Sequence, residues 1–556
     1  MKKYLKNEKA ITLIALIVTI IILLILAGIS ITMLTGENGI LNKTTNSKEK
    51  TIKQGVMEET RVDIMSKMIE NAGENLTEDE LKEILNKRFN NVPDSLYDKT
   101  QVMTTKERGI EVSLEEMLDG VVIARDGNES EEDLVAGATF TDGVRLTWDE
   151  LKLESNAQKY DYLETGISNN GIVTPRNSNF PAFYNCDTIV KITLPKSATT
   201  FADYSFESCD SLVGIYVEPG NSYFVSKKGI LYNKEMTKII KYPSAKNDTT
   251  YNIPDSVTML GICAFENCKN LTQITIPEGV TEIGNSVFYG TSISTIDLPS
   301  GLTSIGSMAF RTCRNLTKIT IPDNVNYIGK YAFEYCSALK EINIPSKVTT
   351  INDSTFDSCS SLEKIVIPNS ITSINNNAFY GCESLTEITI PNSVKTFGGG
   401  VFRGCKKLQS IVIPDSVTTM GDQNFYDCKE LKSVKLSNKL TEIGSFNFGY
   451  CYLLEDITIP DSVTSIGNYA FYKCEKIKSL VVPDGVKKIN MQTFMYCDSM
   501  TTITLPSGLT DIYNEAFYGS YNLKNINFKG TEEQWNNINK GSDWNKGMSG
   551  YTINYI

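Results

Sequence analysis

Thirteen cysteines and a complete lack of histidine limit the chemistry that this 556-residue chain can perform. So many cysteines are typical of a disulfide framework or of zinc sites. The lack of histidine excludes Ser-His-Asp and Cys-His catalysis, imidazole metal ligation and the usual proton switch near neutral pH. No pair of Cys-x-x-Cys motifs is present to hold zinc. We therefore expect no metal site, no cofactor and no ordinary hydrolase activity.

The spacing of the cysteines favours packing over chemistry. Twelve of the thirteen stand three residues after a phenylalanine that belongs to a repeating unit. Thr291 and Ser520 fill the same slot in two other units, so the position requires a small side chain. A buried free cysteine behaves as a small hydrophobe, and parallel Cβ vectors in stacked units disfavour a disulfide. We interpret these cysteines as an interior ladder.

The repeating unit is 23 residues long and is built on Phe, Cys, Leu, Ile, Ile-Pro, Val and Ile-Gly. Only two intervals between its phenylalanines differ from 23: Phe288 to Phe310 is 22, and Phe206 to Phe265 is 59. A period this strict predicts a stack of near-identical coils, each burying its apolar face against the next. The repeat phenylalanines are residues 183, 206, 265, 288, 310, 333, 356, 379, 402, 425, 448, 471, 494 and 517.

Each coil is predicted to contain a strand, a bend, a second short strand and a helical turn. Apolar residues alternate with polar ones from Leu385 to Ile390, which indicates a half-buried strand. Pro391 ends that strand because it lacks a backbone donor. The segment 375–382 fits a single helical or 3₁₀ turn. The predicted fold is an α/β repeat solenoid, a leucine-rich-repeat-like stack of about 14 coils with parallel short strands.

The formal net charge of −12 is concentrated outside the repeats. Residues 101–150 hold thirteen acidic and four basic side chains and account for −9 of it, so the repeat array is close to neutral. Nucleic-acid binding requires a basic stripe, and we expect no nucleic-acid partner. Acids such as Glu387 and Asp456 are scattered over the repeats, and no carboxylate pair stands out. We predict that the protein is not an enzyme; a carboxylate-dependent glycan-active enzyme is the third-ranked alternative.

The N-terminal segment has the composition of a membrane anchor. No charged residue stands between Ala10 and Thr35, and the 24 residues from 11 to 34 would reach roughly 36 Å as a helix, enough to span a bilayer. Four lysines and one acid precede this segment, so by the positive-inside rule the N-terminus stays cytoplasmic and the rest is exported. The predicted location is the cell membrane, with a single pass and an extracellular repeat domain.

This segment resembles the leader and N-terminal helix of type IV pilins and pseudopilins. The resemblance places Ala10 before the cleavage site and Ile11 at the mature N-terminus, which implies prepilin peptidase processing and prepilin-type N-terminal methylation. That family usually has Gly where Ala10 stands, and Glu at the fifth mature position, where this chain has Ala15. The family's Glu is understood to pair with the amine of a neighbouring subunit. Two alternatives stay open: a plain membrane anchor, or a subunit that joins other pilin subunits in a filament.

The repeats resemble the BspA-like leucine-rich repeat, as in FENCKNLTQITIPEGVTEIG at 265–284 and FYKCEKIKSLVVPDGVKKIN at 471–490. The insertion resembles a variant unit of this family, and GTEEQWNNI at 530–538 resembles its end segment. The family implies a bacterial surface protein that presents the solenoid to a protein or glycan ligand on host, matrix or neighbouring cells. The alternative is a minor pilin or pseudopilin that carries the solenoid as an adhesin.

The N-terminal segment, the repeats and the region between them together predict the domain organisation. Residues between the anchor and the repeats are charged and weakly patterned, which is typical of a stalk and a linker. The predicted units are a basic leader (1–10), a transmembrane or pilin-like helix (11–35), a helical stalk (36–90), an acidic linker (91–140), an N-terminal cap (141–182), the solenoid (183–528, with an insertion at about 219–250) and a C-terminal cap (529–556).

Eight tyrosines next to the repeat phenylalanines are the candidate binding residues. Tyrosine offers amphipathic contact area with little rotamer entropy to lose, which favours binding surfaces. The alternative is that each ring only covers the bend of its own coil. These residues are Tyr289, Tyr335, Tyr380, Tyr426, Tyr450, Tyr472, Tyr496 and Tyr518.

Overall fold

The computed structural model describes residues 78–93, 102–106, 111–113, 137–140, 144–147, 165–167, 172–175, 183, 187–201 and 203–556, with Met117 and some single residues between 53 and 67. The chain divides into two units, Met1–Asp126 and Gly127–Ile556. The predicted leader and the predicted transmembrane or pilin-like helix, with Ala10 and Ile11, lie outside the described residues. No helix among the described residues has both the length and the apolar composition that crossing a bilayer requires.

The first unit contains a helix and a small three-stranded antiparallel sheet, in which the strands lie in sequence order. Its core includes the buried side chains Leu81, Leu85, Phe89, Met103 and Val112. The range 91–140, which we interpreted as an acidic linker, contains the three strands Val102–Thr105, Glu111–Ser113 and Gly137–Phe140. Met103 and Val112, in the first two of these strands, supply apolar side chains to this core. The limits of the stalk and the linker stay predictions. The elements are α1 (Glu78–Asn86), β1 (Phe89–Asn90), β2 (Val102–Thr105) and β3 (Glu111–Ser113).

The second unit is a parallel β-solenoid of about 16 stacked turns with little helix. Its N-terminal strands are β4 (Gly137–Phe140), β5 (Arg145–Thr147), β6 (Thr165–Ile167), β7 (Ile172–Pro175), β8 (Ile189–Leu194), β9 (Thr200–Phe201) and β10 (Gly214–Val217). The insertion and the coil after it contain β11 (Phe224–Lys227), β12 (Ile230–Asn233), β13 (Lys238–Lys241), β14 (Thr250–Asn252) and β15 (Met259–Leu260).

The regular coils follow, each with two short strands in most cases. They contain β16 (Gln273–Thr275), β17 (Glu282–Ile283), β18 (Thr295–Ile296), β19 (Ser304–Ile305), β20 (Lys318–Ile319), β21 (Tyr327–Ile328), β22 (Glu341–Asn343), β23 (Thr350–Ile351), β24 (Lys364–Val366), β25 (Ser373–Ile374), β26 (Thr396–Phe397), β27 (Ser410–Val412), β28 (Ser433–Lys435), β29 (Glu442–Ile443), β30 (Asp456–Ile457), β31 (Ser465–Ile466), β32 (Ser479–Val481), β33 (Lys488–Ile489), β34 (Thr502–Leu505), β35 (Asp511–Ile512) and β36 (Asn525–Phe528). The C-terminal segment adds α2 (Glu532–Asn536), β37 (Asn539–Lys540) and β38 (Thr552–Tyr555).

Equivalent strands of successive coils pair in parallel, which confirms the predicted parallel solenoid. In the first series, Ile342 lies beside Ile319 of the preceding coil and Ile365 of the following coil. In the second series, Ile351 lies beside Ile374. Side chains alternate between interior and surface along these strands, so β24 buries Ile365 and exposes the residues on either side of it.

The repeat phenylalanines form a buried stack along the interior. The rings of Phe310 and Phe333 are 5.3 Å apart between centroids and 1° from parallel, and the separation reaches 6.0 Å between Phe402 and Phe425. The backbone amide of Phe310 donates to the carbonyl of Ala332 in the next coil at 2.8 Å. From Phe265 to Phe517, each repeat phenylalanine therefore contributes both a stacked ring and a hydrogen bond between coils.

The helical turn predicted for residues 375–382 is wrong. Asn377 and Gly381 have φ values of 55° and 64°, in the left-handed region. The amide of Phe379 donates to the carbonyl of Val401 in the next coil at 2.9 Å. Two left-handed residues interrupt a right-handed helix, and the amide pairs with another coil instead of within its own turn.

The cysteine ladder is confirmed wherever the structure describes it. The ladder thiols are free and buried. Each thiol donates to the carbonyl of the ladder aromatic in the preceding coil, which is Tyr242 for Cys268 and a phenylalanine for the others, as from Cys382 to Phe356 at 3.2 Å. Ser520, in the same slot, donates to Phe494 at 2.8 Å. The slot thus requires a small donor; Cys186 lies outside the described residues.

The insertion contains an aromatic ladder residue that the phenylalanine spacing does not reveal. Tyr242 stands 23 residues before Phe265, and its ring stacks on that of Phe265 at 5.4 Å. The Tyr242 hydroxyl donates to Asp248 at 2.6 Å, and Asp248 occupies the place of the repeat leucine. The stack that runs through Phe265 therefore begins one coil earlier, inside the 59-residue interval. This coil and a final turn that ends in β38 raise the number of turns above the 14 predicted.

Additional strands cover both ends of the ladders. At the N-terminal end, β4 pairs antiparallel with β8 and with β5, and β7 pairs with β9. At the C-terminal end, β38 pairs with β36, and the Trp544 ring lies against Phe517 at 6.0 Å. Such coverage protects the edges from pairing with other chains.

Replacing Phe379 with alanine should lower the free energy of unfolding by about 3–5 kcal/mol, because its fully buried ring stacks between Phe356 and Phe402. Replacing Cys382 with serine should cost no more than about 1–2 kcal/mol, because the hydroxyl can donate to the same carbonyl. Urea denaturation followed by circular dichroism measures both. A serine variant as unstable as the alanine variant would contradict this account of the slot.

Candidate ligand-binding surface

The residues one and two positions after each ladder aromatic lie along one border of the solenoid, which we call the turn edge. Four ring contacts join tyrosines there, with centroid distances of 5.2, 5.1, 6.1 and 5.7 Å and interplanar angles of 67–88°. Edge-to-face contacts of this kind are favourable beyond the area that they bury. The joined residues, which we call the tyrosine ridge, are Tyr426, Tyr450, Tyr472, Tyr496 and Tyr518.

The backbone presents these rings outward. Tyr450 and Tyr496 stand two residues after their ladder phenylalanine, with φ values of 62° and 58°. Bulky residues rarely adopt this left-handed conformation. Every ridge tyrosine is half-buried, so part of its ring is accessible. Burial and the neighbouring Tyr450 raise the pKa of Tyr472 to about 12, so its phenol is uncharged at neutral pH.

Cations from the same edge lie against the ridge. The Arg403 guanidinium is 4.8 Å from the ring centroid of Tyr426 and 5.4 Å from that of Tyr380. The Lys473 ammonium lies 5.4–5.8 Å from the rings of Tyr450, Tyr472 and Tyr496. Cation–π contacts of this length are attractive. The ridge is therefore an aromatic surface with embedded positive charge.

The other predicted tyrosines do not join the ridge by ring contact. Tyr380 reaches it only through Arg403. Tyr335 is 40% exposed and lies beside Arg314. Tyr289 lies under Arg311, 5.7 Å from ring centroid to guanidinium. The turn edge thus brings together five of the eight candidate residues.

Charged residues occupy the N-terminal half of the same edge, and sequence reasoning did not select them. The sequence contains a pattern that could have identified them. The residue after the ladder aromatic is mostly charged in the early coils and mostly tyrosine in the later ones. The Arg311 guanidinium forms an ion pair with Glu334 of the next coil. The charged members of this row are Glu207, Glu266, Arg311, Glu334, Asp357 and Arg403.

A cavity of about 540 Å³ lies at this charged half, between the coils of Phe206 and Phe310. Gly290, Thr291 and Ser292 form part of its lining, and they belong to the 22-residue coil. The 59-residue interval contributes Glu207 and Ser208, and the coil that follows it contributes Glu266. Both departures from the 23-residue period therefore meet at this cavity.

A buried ion pair adjoins the cavity. Lys241 takes an interior position that other coils fill with small side chains such as Ala264, and its side chain is 1% exposed. Its ammonium donates to the Cys263 carbonyl at 2.9 Å and lies 3.7 Å from Glu266. Glu266 is 4% exposed, lines the cavity and accepts from the Ser208 amide at 3.2 Å.

Burial controls the protonation of both acids in the cavity. It raises the pKa of Glu266 to about 7, against the opposing effect of Lys241. It also raises the pKa of Glu207, again opposed by Lys241. Near neutral pH, Glu266 can therefore either accept or donate a hydrogen bond. In the described part of the chain, no group of three or more acidic or cysteine side chains is placed to hold a metal ion.

The raised pKa of Glu266 predicts a pH-dependent stability. The folded state holds this proton more tightly than the unfolded state, so the free energy of unfolding should fall as pH rises from about 4.5 to about 7. The loss that Glu266 causes should be on the order of 1–3 kcal/mol, so Glu266→Gln should show a correspondingly smaller pH response. Urea denaturation at both ends of this range, with Glu387→Gln as the exposed control, measures it. An equal pH response in all three proteins would contradict the assignment.

The repeats match a known family, described as the BspA type leucine-rich repeat region, over residues 174–249, 241–363, 349–478 and 441–542. No curated protein matches the chain. Among solved structures, a leucine-rich repeat protein from Bacteroides ovatus is 30% identical, with a TM-score of 0.48, and the alignment covers 60% of this chain and 90% of that one.

Two further structures are similar. A leucine rich cell surface protein from Faecalibacterium prausnitzii is 28% identical, with a TM-score of 0.35 and coverage of 57% of this chain and 96% of that one. A leucine-rich repeat protein from Eubacterium ventriosum is 28% identical, with a TM-score of 0.24 and coverage of 51% and 58%. Because the family match spans more than half of the sequence, the chain belongs to the BspA type leucine-rich repeat family.

Proposed function

We propose that this protein is exported and that its solenoid binds a protein ligand on host, matrix or neighbouring cells through the tyrosine ridge. The continuous row of half-buried tyrosines carries the proposal. Aromatic and arginine side chains are enriched at the centres of protein interfaces and among the residues that dominate their affinity. Membership of the BspA type family supports an extracellular repeat protein involved in binding.

The form of the ridge favours an extended ligand. Successive coils repeat at the strand spacing of about 4.8 Å, so five ridge tyrosines from Tyr426 to Tyr518 span roughly 20 Å. The side chains are already fixed against one another, so little conformational entropy remains to be lost on binding. The near-neutral charge of the repeats means that local contacts, rather than overall charge, determine the partner.

The leucine-rich-repeat solenoid is typically a binding scaffold, and we propose no catalytic step for the ridge. Its tyrosines are not paired with a histidine, since the chain has none.

Replacing Tyr450, Tyr472 and Tyr496 with serine should weaken ligand binding at least about tenfold for each ring removed, because rings of this kind act as hot spots. The three phenylalanine variants should retain most of the affinity, since the rings remain. Matched controls are Tyr223→Ser and Tyr327→Ser, which remove tyrosines that are 53% and 46% exposed and lie outside the ridge.

Binding of the full-length protein to immobilised matrix proteins and to host cells is the measurement, with circular dichroism to verify folding. If the folded serine variants bind as well as the controls, the ridge is not the binding surface.

We propose further that residues 11–35 hold the protein in the cell membrane, with the solenoid outside. The apolar composition of this segment and the lysines before it support the proposal. The alternative is a minor pilin or pseudopilin, cleaved by prepilin peptidase between Ala10 and Ile11, that carries the solenoid on a filament.

The two alternatives differ in fractionation. An anchored protein should remain in the membrane fraction with its leader attached, and protease added to intact cells should digest its solenoid. N-terminal sequencing and shearing of the cells make the comparison. Recovery from sheared filaments of a chain that begins at Ile11 would reject the simple anchor and establish the pilin alternative.

A further inference from the structure

We infer that the cavity beside Glu207 and Glu266 binds one uncharged sugar unit of a glycan. The inference rests on the proposed role in surface binding but assigns a second site, separate from the tyrosine ridge. The cavity volume of about 540 Å³ lies within the range of small-molecule sites, which is ~300–1,000 Å³.

The lining offers both hydrogen-bond donors and hydrogen-bond acceptors. Carboxylates of Glu207 and Glu266 accept, the guanidinium of Arg314 donates, and the amides of Asn267 and Asn315 do both. Ser292 and Thr312 add hydroxyls. A sugar presents several hydroxyls on a small ring, and each hydroxyl also both donates and accepts. This lining therefore complements a polyhydroxylated ligand better than an apolar one.

Three of the five charged side chains that line the cavity, Glu266, Lys269 and Arg311, are already in ion pairs. Lys269 pairs with Asp210 at 2.9 Å, Arg311 pairs with Glu334, and Lys241 lies 3.7 Å from Glu266. An anionic or cationic ligand would have to compete with these pairs and would meet charges of both signs. An uncharged ligand can bind without separating them. Sites of this composition therefore favour a neutral sugar over an ion.

The stacking of the coils does not by itself explain the charged side chains and the irregular intervals at this cavity. A buried ion pair such as Lys241 and Glu266 contributes little net stability, because desolvation offsets the attraction. The interior position of Lys241 is filled by alanine in several other coils, including Ala264 and Ala309. The repeat also keeps its 23-residue period elsewhere and departs from it only at the two intervals that line this cavity. The two irregular intervals therefore lie at the cavity, and not at a contact that the fold requires.

The test is saturation-transfer NMR of the full-length protein with a panel of free neutral hexoses and N-acetylhexosamines, followed by calorimetric titration of each sugar that shows transfer. We expect at least one sugar to bind. Glu207→Gln and Glu266→Gln should each weaken it about tenfold or more, the effect of losing one hydrogen bond to a charged group. Glu387→Gln, an exposed acid on another coil, should bind as the parent does.

Three outcomes overturn the inference: no sugar binds to the folded parent protein, both cavity variants bind as the parent does, or Glu387→Gln loses as much affinity as they do. Circular dichroism of each variant verifies folding, and Arg314→Lys provides a second cavity variant if either glutamine variant fails to fold. Failure here with continued sensitivity of protein binding to ridge variants would reject the sugar site alone. Failure of both assays would reject the proposed function as well.

Discussion

The fold depends on the contacts that each ladder aromatic makes with the coils on either side. Its ring stacks on its neighbours, its amide donates to the next coil, and its carbonyl accepts a thiol from that coil, as Phe356 does from Cys382. A coil out of register would leave these interior groups unpaired, which is costly. Substitution is therefore restricted to residues that preserve the geometry, such as Tyr242 for phenylalanine or Ser520 for cysteine.

This interior register also determines what the surface can display. Residues that follow the ladder aromatics are held next to one another along the turn edge, whatever their identity. The later coils use the edge for tyrosines in mutual contact, and the early coils use it for charges around a cavity. Stability and recognition are thus assigned to different positions of the same unit, so the surface can change from coil to coil without disturbing the stack.

The period made much of this architecture predictable. Alternation in each unit indicated the parallel strands, and the cysteine spacing indicated an interior ladder. The turn after each second strand was not predictable, because the left-handed backbone of Asn377 and its neighbours depends on hydrogen bonds between coils. Tyr242 was missed because a tyrosine replaces the phenylalanine and Asp248 replaces the leucine. The cavity was missed because Glu207 and Glu266 are adjacent only after the insertion between them has folded.

The buried thiols also affect which cellular compartments the chain can fold in. Proteins outside the cell commonly depend on disulfides, and so on an oxidising environment and the enzymes that maintain it. The ladder cysteines that the structure describes are free, and burial raises the pKa of Cys313 to about 12, which leaves almost no thiolate for exchange or oxidation. Their contribution to the fold is a hydrogen bond that is the same under reducing and oxidising conditions. The solenoid should therefore tolerate passage between compartments of different redox potential without help from an oxidoreductase.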